Sequence, residues 1–398
     1  MILRAKYLIT GDGRTCLQDQ AVYLDKEGKI GWIGDAAEAA GRYPEEMVKD
    51  YGEATILPGL FDMHVHFGYY YSQPDLDNYD DYMVAYYALD QAKQSLRLGI
   101  TTVRDLSCPP NLMKQLRLAG QKGYVTVPRI IHADAGICMT GGHGHQDGVE
   151  EADSPWGVRA AIRRQLRAGA DWVKILTSNR GDIPEFTQEE LDAAVDEAHR
   201  QGVKIAVHSG TQPSIQMCID AGFDTIEHGT FLTEAQARQM AEKGIAWTPT
   251  ITAYTYLYEQ TKMIEAGVDM DNPIAARAVH DQAFFKPAFE AYRDNFKKLY
   301  DTGVTVLAGS DMVLYKAPPL PIHQELGYMV DYGITPVEAV RTATYNAASV
   351  LGIEMETGSL KEGLAGDLLV VKGDVSKNIR ALDDVLEVYL AGKTVYTV

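Results

Sequence analysis

The chain has 398 residues, 46% hydrophobic and 23% charged, and carries 37 basic against 55 acidic side chains for a net charge of −18. That composition excludes a disordered, collagenous or membrane-spanning chain. The acidic balance argues against nucleic acid and anionic lipid as partners, since both carry negative charge.

Residues 1–57 read as short alternating strands, at 21–24 and 30–33, with turn residues Gly11-Asp12-Gly13 and Lys26-Glu27-Gly28 and one helix over 35–43. From Pro58 onward, short β-branched runs alternate with charged amphipathic segments. The candidate strands are 59–66, 100–106, 129–135, 172–177, 204–208, 225–228, 246–250 and 304–309. The clearest helix covers 187–201: Thr187 can cap it, Glu190 sits three residues on, and Leu191, Ala194, Val195 and Ala198 share one face. Strand and helix alternating over about 250 residues predicts an α/β fold, a closed (β/α)8 barrel over 58–352. Residues 67–82, rich in Tyr and Asp, and 254–296, of helical spacing, follow candidate strands and are expected to wall a substrate pocket. The closing segment returns to strands at 367–372, 385–390 and 394–398. Neither end can close a core alone, so 1–57 and 353–398 are expected to form one small β-sandwich beside the barrel.

The cysteines, Cys16, Cys108, Cys138 and Cys218, form no CxxC pair, which fits a reducing compartment. The first residues lack the apolar core of a secretion signal, and no stretch reaches bilayer length. A cytoplasmic protein with a small-molecule substrate is expected, with room for a homo-oligomer.

His64 and His66 close the first barrel strand, and the strand period of two sends both imidazoles to one side. Alone, HxH is a weak signal. Yet His208, His228 and Asp311 also lie at or just beyond the carboxyl ends of candidate strands, with Lys174 inside the fourth. In a barrel such side chains converge on one cavity. Imidazoles with a carboxylate suit a borderline divalent ion such as zinc, and this set exceeds what one tetrahedral site needs. A second ion would need an anionic bridge. Lys174 supplies one if burial lets its amine lose a proton and capture carbon dioxide as a carbamate; the alternative is an ordinary core lysine.

The run Leu57-Pro58-Gly59-Leu60-Phe61-Asp62-Met63-His64-Val65-His66 resembles the opening signature of the amidohydrolase superfamily. Lys174, His208, His228 and Asp311 follow the order of its binuclear members. The resemblance spans nearly the whole chain, and Thr140-Gly141-Gly142-His143-Gly144 with Ala168-Gly169-Ala170-Asp171-Trp172-Val173-Lys174-Ile175 is similar to the branch of imidazolonepropionase-related dipeptidases that remove C-terminal proline, arginine or lysine. It implies two divalent ions, zinc in this reading. His64, His66 and Asp311 would hold the buried ion, His208 and His228 the outer one, and carboxylated Lys174 would bridge. A hydroxide between the ions would attack the carbonyl, Asp311 acting as general base and His143 polarising the scissile bond. A purely structural His143 in a glycine-rich turn is the alternative.

Arg180, in a segment that departs from the branch pattern, could clamp a substrate carboxylate; it could equally be a solvated loop arginine. Asp75, Asp77, Asp80 and Asp81 would favour a cationic substrate end if they overhang the pocket, and are otherwise a hydrated surface loop. The expected reaction is hydrolysis of the amide of a small carboxylate-bearing molecule, a dipeptide or N-acyl amino acid. Opening of an imidazolone-like cyclic amide, or cleavage of an aryl amide, urea or carbamate, needs the same metals. A non-catalytic scaffold would be expected to have lost ligands, and none of these positions is empty.

Overall fold

The computed structural model describes residues 1–68, 80–145, 149–178, 183–265, 273–311 and 321–398, with 263–265 and 273–283 described by backbone alone. The chain opens with strands β1 (Ile2–Ile9), β2 (Cys16–Leu24), β3 (Ile30–Asp35), β4 (Val48–Asp50) and β5 (Ala54–Pro58). The central stretch carries β6 (Leu60–Val65), β7 (Ile100–Asp105), β8 (Arg129–His132), β9 (Ile137–Cys138), β10 (Glu150–Glu151), β11 (Trp172–Leu176), β12 (Lys204–Ser209), β13 (Thr225–His228) and β14 (Ala246–Thr248). It closes with β15 (Leu368–Lys372), β16 (Val385–Leu390) and β17 (Lys393–Thr397).

Both ends of the chain meet in one eight-stranded sheet, ordered β17-β16-β15-β5-β1-β2-β3 with β4 beside β1. Each end thus covers strand edges that the other would leave open. A core of Leu3, Leu8, Val22, Leu24, Ile30, Ile56, Leu368, Val370 and Tyr389 draws on both ends. The sheet's strand order is one continuous path. β1, partly buried, and β5, fully buried, are absent from the sequence-derived strands.

The central strands run parallel in two sheets, β6-β7-β8 and β10-β9-β11-β12-β13-β14. Side chains alternate across them: Val173 and Ile175 pack into the core shared with the surrounding helices, while Lys174 faces the other way. The expected strand over 304–309 is reduced to a bridge between Val306 and Trp247. Two of its backbone groups are taken up elsewhere: Asn346 Nδ2 donates to the Val306 carbonyl at 3.0 Å, and Ala308 N to the Thr342 carbonyl at 3.1 Å. The segment still links the two sheets, because Leu307 N donates to Trp247 O (2.8 Å) and Met63 N to Ala308 O (2.9 Å).

The helix Gln188–Arg200 begins as its sequence predicts, with a capping box between Thr187 and Glu190 and Leu191, Ala194, Val195 and Ala198 buried. The helical spacing of 254–296 corresponds to two helices, Ile251–Glu265 and Pro273–Tyr300. Of the Tyr- and Asp-rich stretch after β6, 69–79 lies outside the described residues; Asp80 accepts from Tyr82 N and Met83 N as N-cap of the helix Asp81–Arg97. Among the described residues no helix is long and apolar enough to cross a membrane. All four cysteines are free thiols.

Candidate metal centre

The candidate residues stand at the carboxyl ends of the parallel strands. His64 lies in β6 with His66 just beyond it, Lys174 in β11, His208 in β12 and His228 at the end of β13. His143 sits in a turn after β9, and Asp311 follows the 304–309 segment. Local backbone choices aim them. Asp311 and His228 hold φ of 50° and 66°, a region that non-glycine residues enter only where surrounding contacts enforce it. Those contacts are present. Asp311 N donates to the His64 carbonyl at 2.8 Å, and the His228 carbonyl accepts from Trp247 Nε1 (2.7 Å) and Tyr292 Oη (3.1 Å). Buried Asp62 accepts from Ser310 N (2.9 Å), Ser310 Oγ and His64 N (3.2 Å), tying β6 to the segment that carries Asp311. Gly309 is required by proximity: a Cβ there would lie 2.9 Å from His64 Cβ and 3.0 Å from His64 N.

The side chains converge closely. His64 Nε2 lies 3.1 Å from His66 Nε2, 3.4 Å from Lys174 Nζ and 3.6 Å from Asp311 Oδ1, and His66 Nε2 lies 3.3 Å from the same oxygen. His228 Nδ1 is 3.9 Å from Asp311 Oδ2. The His208 ring meets that of His228 at 4.3 Å between centroids and stacks on His143 at 4.0 Å. His64, His228 and Asp311 each offer a ligand atom within 4.8 Å of the others.

The partners of the other ring nitrogens decide what this cluster can hold. His66 Nδ1 faces the Ser107 carbonyl (2.8 Å) and His64 Nδ1 the Glu227 carboxylate (2.9 Å), groups that only accept. His228 Nδ1 meets Thr250 Oγ1 (2.7 Å), whose hydroxyl donates to the Pro249 carbonyl. In each neutral ring the proton therefore sits on Nδ1 and Nε2 is a bare lone pair. Two such nitrogens 3.1 Å apart beside a carboxylate repel one another unless a cation stands among them. Among the described residues, His208 Nε2 is buried without a hydrogen-bond partner. Imidazole nitrogen and carboxylate oxygen form a donor set that suits zinc or a similar divalent ion.

Burial sets the charges. It pushes His64 and His208 well below the usual imidazole range and His228 down to about 3, so the rings stay neutral and able to ligate. Burial would raise Asp311, and positive charge at His64, His66 and His228 would outweigh it and hold the carboxyl below its ordinary value; with the rings neutral, a bound cation would supply that charge instead. Lys174, 1% exposed, is lowered to about 8 by burial, against the pull of Glu227 and Asp311.

Arg180 lies outside the described residues, as do Asp75 and Asp77. His145 turns its Nδ1 to the Gly142 carbonyl (2.9 Å), His199 Nε2 pairs with Asp224 (2.8 Å) and His323 Nε2 meets the Leu98 carbonyl (2.8 Å), all away from the cluster. Sequence reasoning passed over Glu227, Arg104 and Thr250. For Glu227 and Arg104 a signal existed: each is a charged residue inside a β-branched strand, and a buried charge must have a partner.

The comparisons follow the same lines. Residues 55–395 match the Amidohydrolase family. Ochratoxinase of Aspergillus niger is 28% identical over 443 residues, spanning 98% of this chain and 86% of that protein. Imidazolonepropionase of Geobacillus sp. (strain WCH70) is 23% identical over 399 residues, spanning 89% and 84%. A solved structure of a Xaa-Pro dipeptidase with methionine bound in its active site is 30% identical, covers 100% of this chain and 99% of its own, and superposes with a TM-score of 0.88. With a family match over most of its length and these relatives, this chain belongs to the amidohydrolase family.

Proposed function

We propose that this protein is a metal-dependent hydrolase of C–N bonds that cleaves the amide of a small carboxylate-bearing substrate, a dipeptide or N-acyl amino acid. The observation that carries the reading is the meeting of bare imidazole nitrogens with Asp311 around buried Lys174. His64, His66 and Asp311 would hold one divalent ion, zinc by its donor set, and His208 and His228 a second, with carboxylated Lys174 between them. When bound, the ions supply the Lewis acidity that brings a water's pKa toward neutrality and polarises the carbonyl. Asp311 then takes the water's proton and returns it to the departing nitrogen. His143, stacked on His208, donates a hydrogen bond to the carbonyl oxygen as negative charge gathers there.

The fold reading that goes with it has β6 to β14 and the 304–309 segment closing as a (β/α)8 barrel over 58–352. The terminal sheet, from 1–57 and 353–398, folds over as a β-sandwich. Arg180 remains the proposed anchor for the substrate carboxylate. The setting is cytoplasmic, with a small-molecule substrate and no nucleic-acid or membrane partner.

The Xaa-Pro dipeptidase relative supports the dipeptide reading. The imidazolonepropionase relative supports a second, opening of a cyclic amide at the same site. Kinetics on the zinc-loaded protein, with dipeptides and N-acyl amino acids beside cyclic amides and aryl ureas, separates them. We expect kcat/KM at least about 100-fold higher for the best dipeptide or N-acyl amino acid, a lower bound for a site that pairs a buried polar substrate group, where the preference reaches about 10,000-fold. A preference for the cyclic amides would replace the first reading by the second.

A further inference from the structure

We propose that Arg104 and Glu227 are positioning residues of the metal centre, which lock His64 as its Nδ1–H tautomer so that Nε2 stays bare toward the cavity. The inference rests on the metal-dependent reading above and extends it to residues outside the ligand set.

Glu227 and Arg104 are both fully buried, on β13 and β7. Glu227 Oε2 accepts from His64 Nδ1 at 2.9 Å, while its other oxygen accepts from Arg104 Nη2 at 2.8 Å and from the Thr225 hydroxyl. Arg104 is itself fixed: Nε donates to the Met63 carbonyl (2.8 Å), Nη1 to Thr225 Oγ1 (3.1 Å), and its guanidinium lies 4.7 Å from the Trp172 ring centre. The carboxylate is thus clamped on one oxygen and aims the other at a single imidazole nitrogen.

Stability does not account for this pair. Removing two charges from water costs more than their attraction commonly returns, and apolar residues of similar size often serve as well. A carboxylate that only accepts hydrogen bonds does one thing an apolar residue cannot: it forces the facing imidazole nitrogen to carry the proton.

The clamp makes the consequence of an amide specific. In Glu227→Gln, Arg104 and the Thr225 hydroxyl both donate toward the same atom and claim the amide oxygen. The amide NH2 then faces His64 Nδ1, which must become an acceptor, and the proton moves to Nε2, the atom needed for the ion. Glu227→Gln is almost isosteric and yet inverts the tautomer. Removing the clamp should undo the inversion: in Arg104→Met/Glu227→Gln the amide is free to turn its oxygen to His64 Nδ1–H.

The test is zinc affinity of the purified apo proteins by competition with a chromophoric chelator, with thermal melting alongside to verify folding. Glu227→Gln should weaken zinc about 10- to 100-fold, the effect of losing a hydrogen-bond partner to a ligating histidine. The double variant should bind about 10-fold or more tighter than Glu227→Gln alone, on the same grounds. Wild-type affinity in Glu227→Gln, or a double variant no better than the single, would overturn the proposal. Should the variants fail to fold, 15N-histidine NMR of the apo wild type decides: a proton on His64 Nδ1 supports the lock and one on Nε2 refutes it. A wild type that binds no zinc, with His64 still protonated at Nδ1, would overturn the metal-dependent reading and leave the tautomer lock standing.

Discussion

Lys174 Nζ lies 3.4 Å from His64 Nε2, and among the described residues no carboxylate pairs with it within salt-bridge distance. An ammonium in that position would repel the cations proposed for the surrounding nitrogens. A carbamate would attract them. Lys174→Ala should therefore strip the protein of most of its metal and activity, and short-chain carboxylic acids such as formate or propionate should restore part of both. Metal analysis and turnover, each with and without the added acid, check this. His143 plays a different part: its ring is held against His208 and its backbone N donates to Glu185 at 3.0 Å, independently of the ions. His143→Asn should retain the metal and lower kcat by about 100-fold, the scale of a lost oxyanion donor. Equal loss of metal and rate would make His143 a ligand instead.

At the scale of elements, the helices Ser154–Ala168 and Gln188–Arg200 are joined by Glu197. It accepts from Arg163 Nε (2.7 Å) and Nη2 (2.9 Å), Arg159 Nη1 (3.4 Å) and Gln201 Nε2 (3.1 Å), with Arg200 also paired. The hydrogen bonds from Arg163, against the opposing effect of burial, hold its carboxyl well below the ordinary 4.5. A carboxyl lowered in the folded state contributes stability that is complete above its unfolded value and fades as acid protonates it. Glu197→Gln should lose about 2 kcal/mol at pH 7, the worth of a charged hydrogen bond. The gap to wild type should narrow progressively below pH 4.5. Urea unfolding of both proteins at pH 7 and pH 3 checks the sign. Legibility also varies by element. The helix at Thr187 was readable because its cap and apolar spacing are local. The His64-Val65-His66 alternation and the strand-end places of His208 and His228 were readable for the same reason. β5 was not, since its identity as a strand depends on pairing with β15, which arrives from distant sequence. The strand expected over 304–309 is cut to a bridge because Val306 O is taken by Asn346 and Ala308 N by the Thr342 carbonyl, partners that no local pattern reveals. Glu227 escaped because its meaning lies in Arg104, 123 residues earlier, and in His64.

Over the whole molecule, the two ends of the chain hold the first His-bearing strand in place. β5 pairs with β1 and β15 and leads through Gly59, whose N donates to the Asp367 carbonyl at 2.9 Å, straight into β6. Distant sequence thus converges on the placement of His64, His66 and Asp311, which under the proposed function gather divalent ions for hydrolysis. The direct measurement is a metal titration of the chelator-stripped protein, following hydrolysis of its best dipeptide or N-acyl amino acid against bound zinc. The account predicts no turnover in the stripped protein and a rise that saturates near two equivalents per chain. Undiminished turnover by the metal-free chain would contradict it.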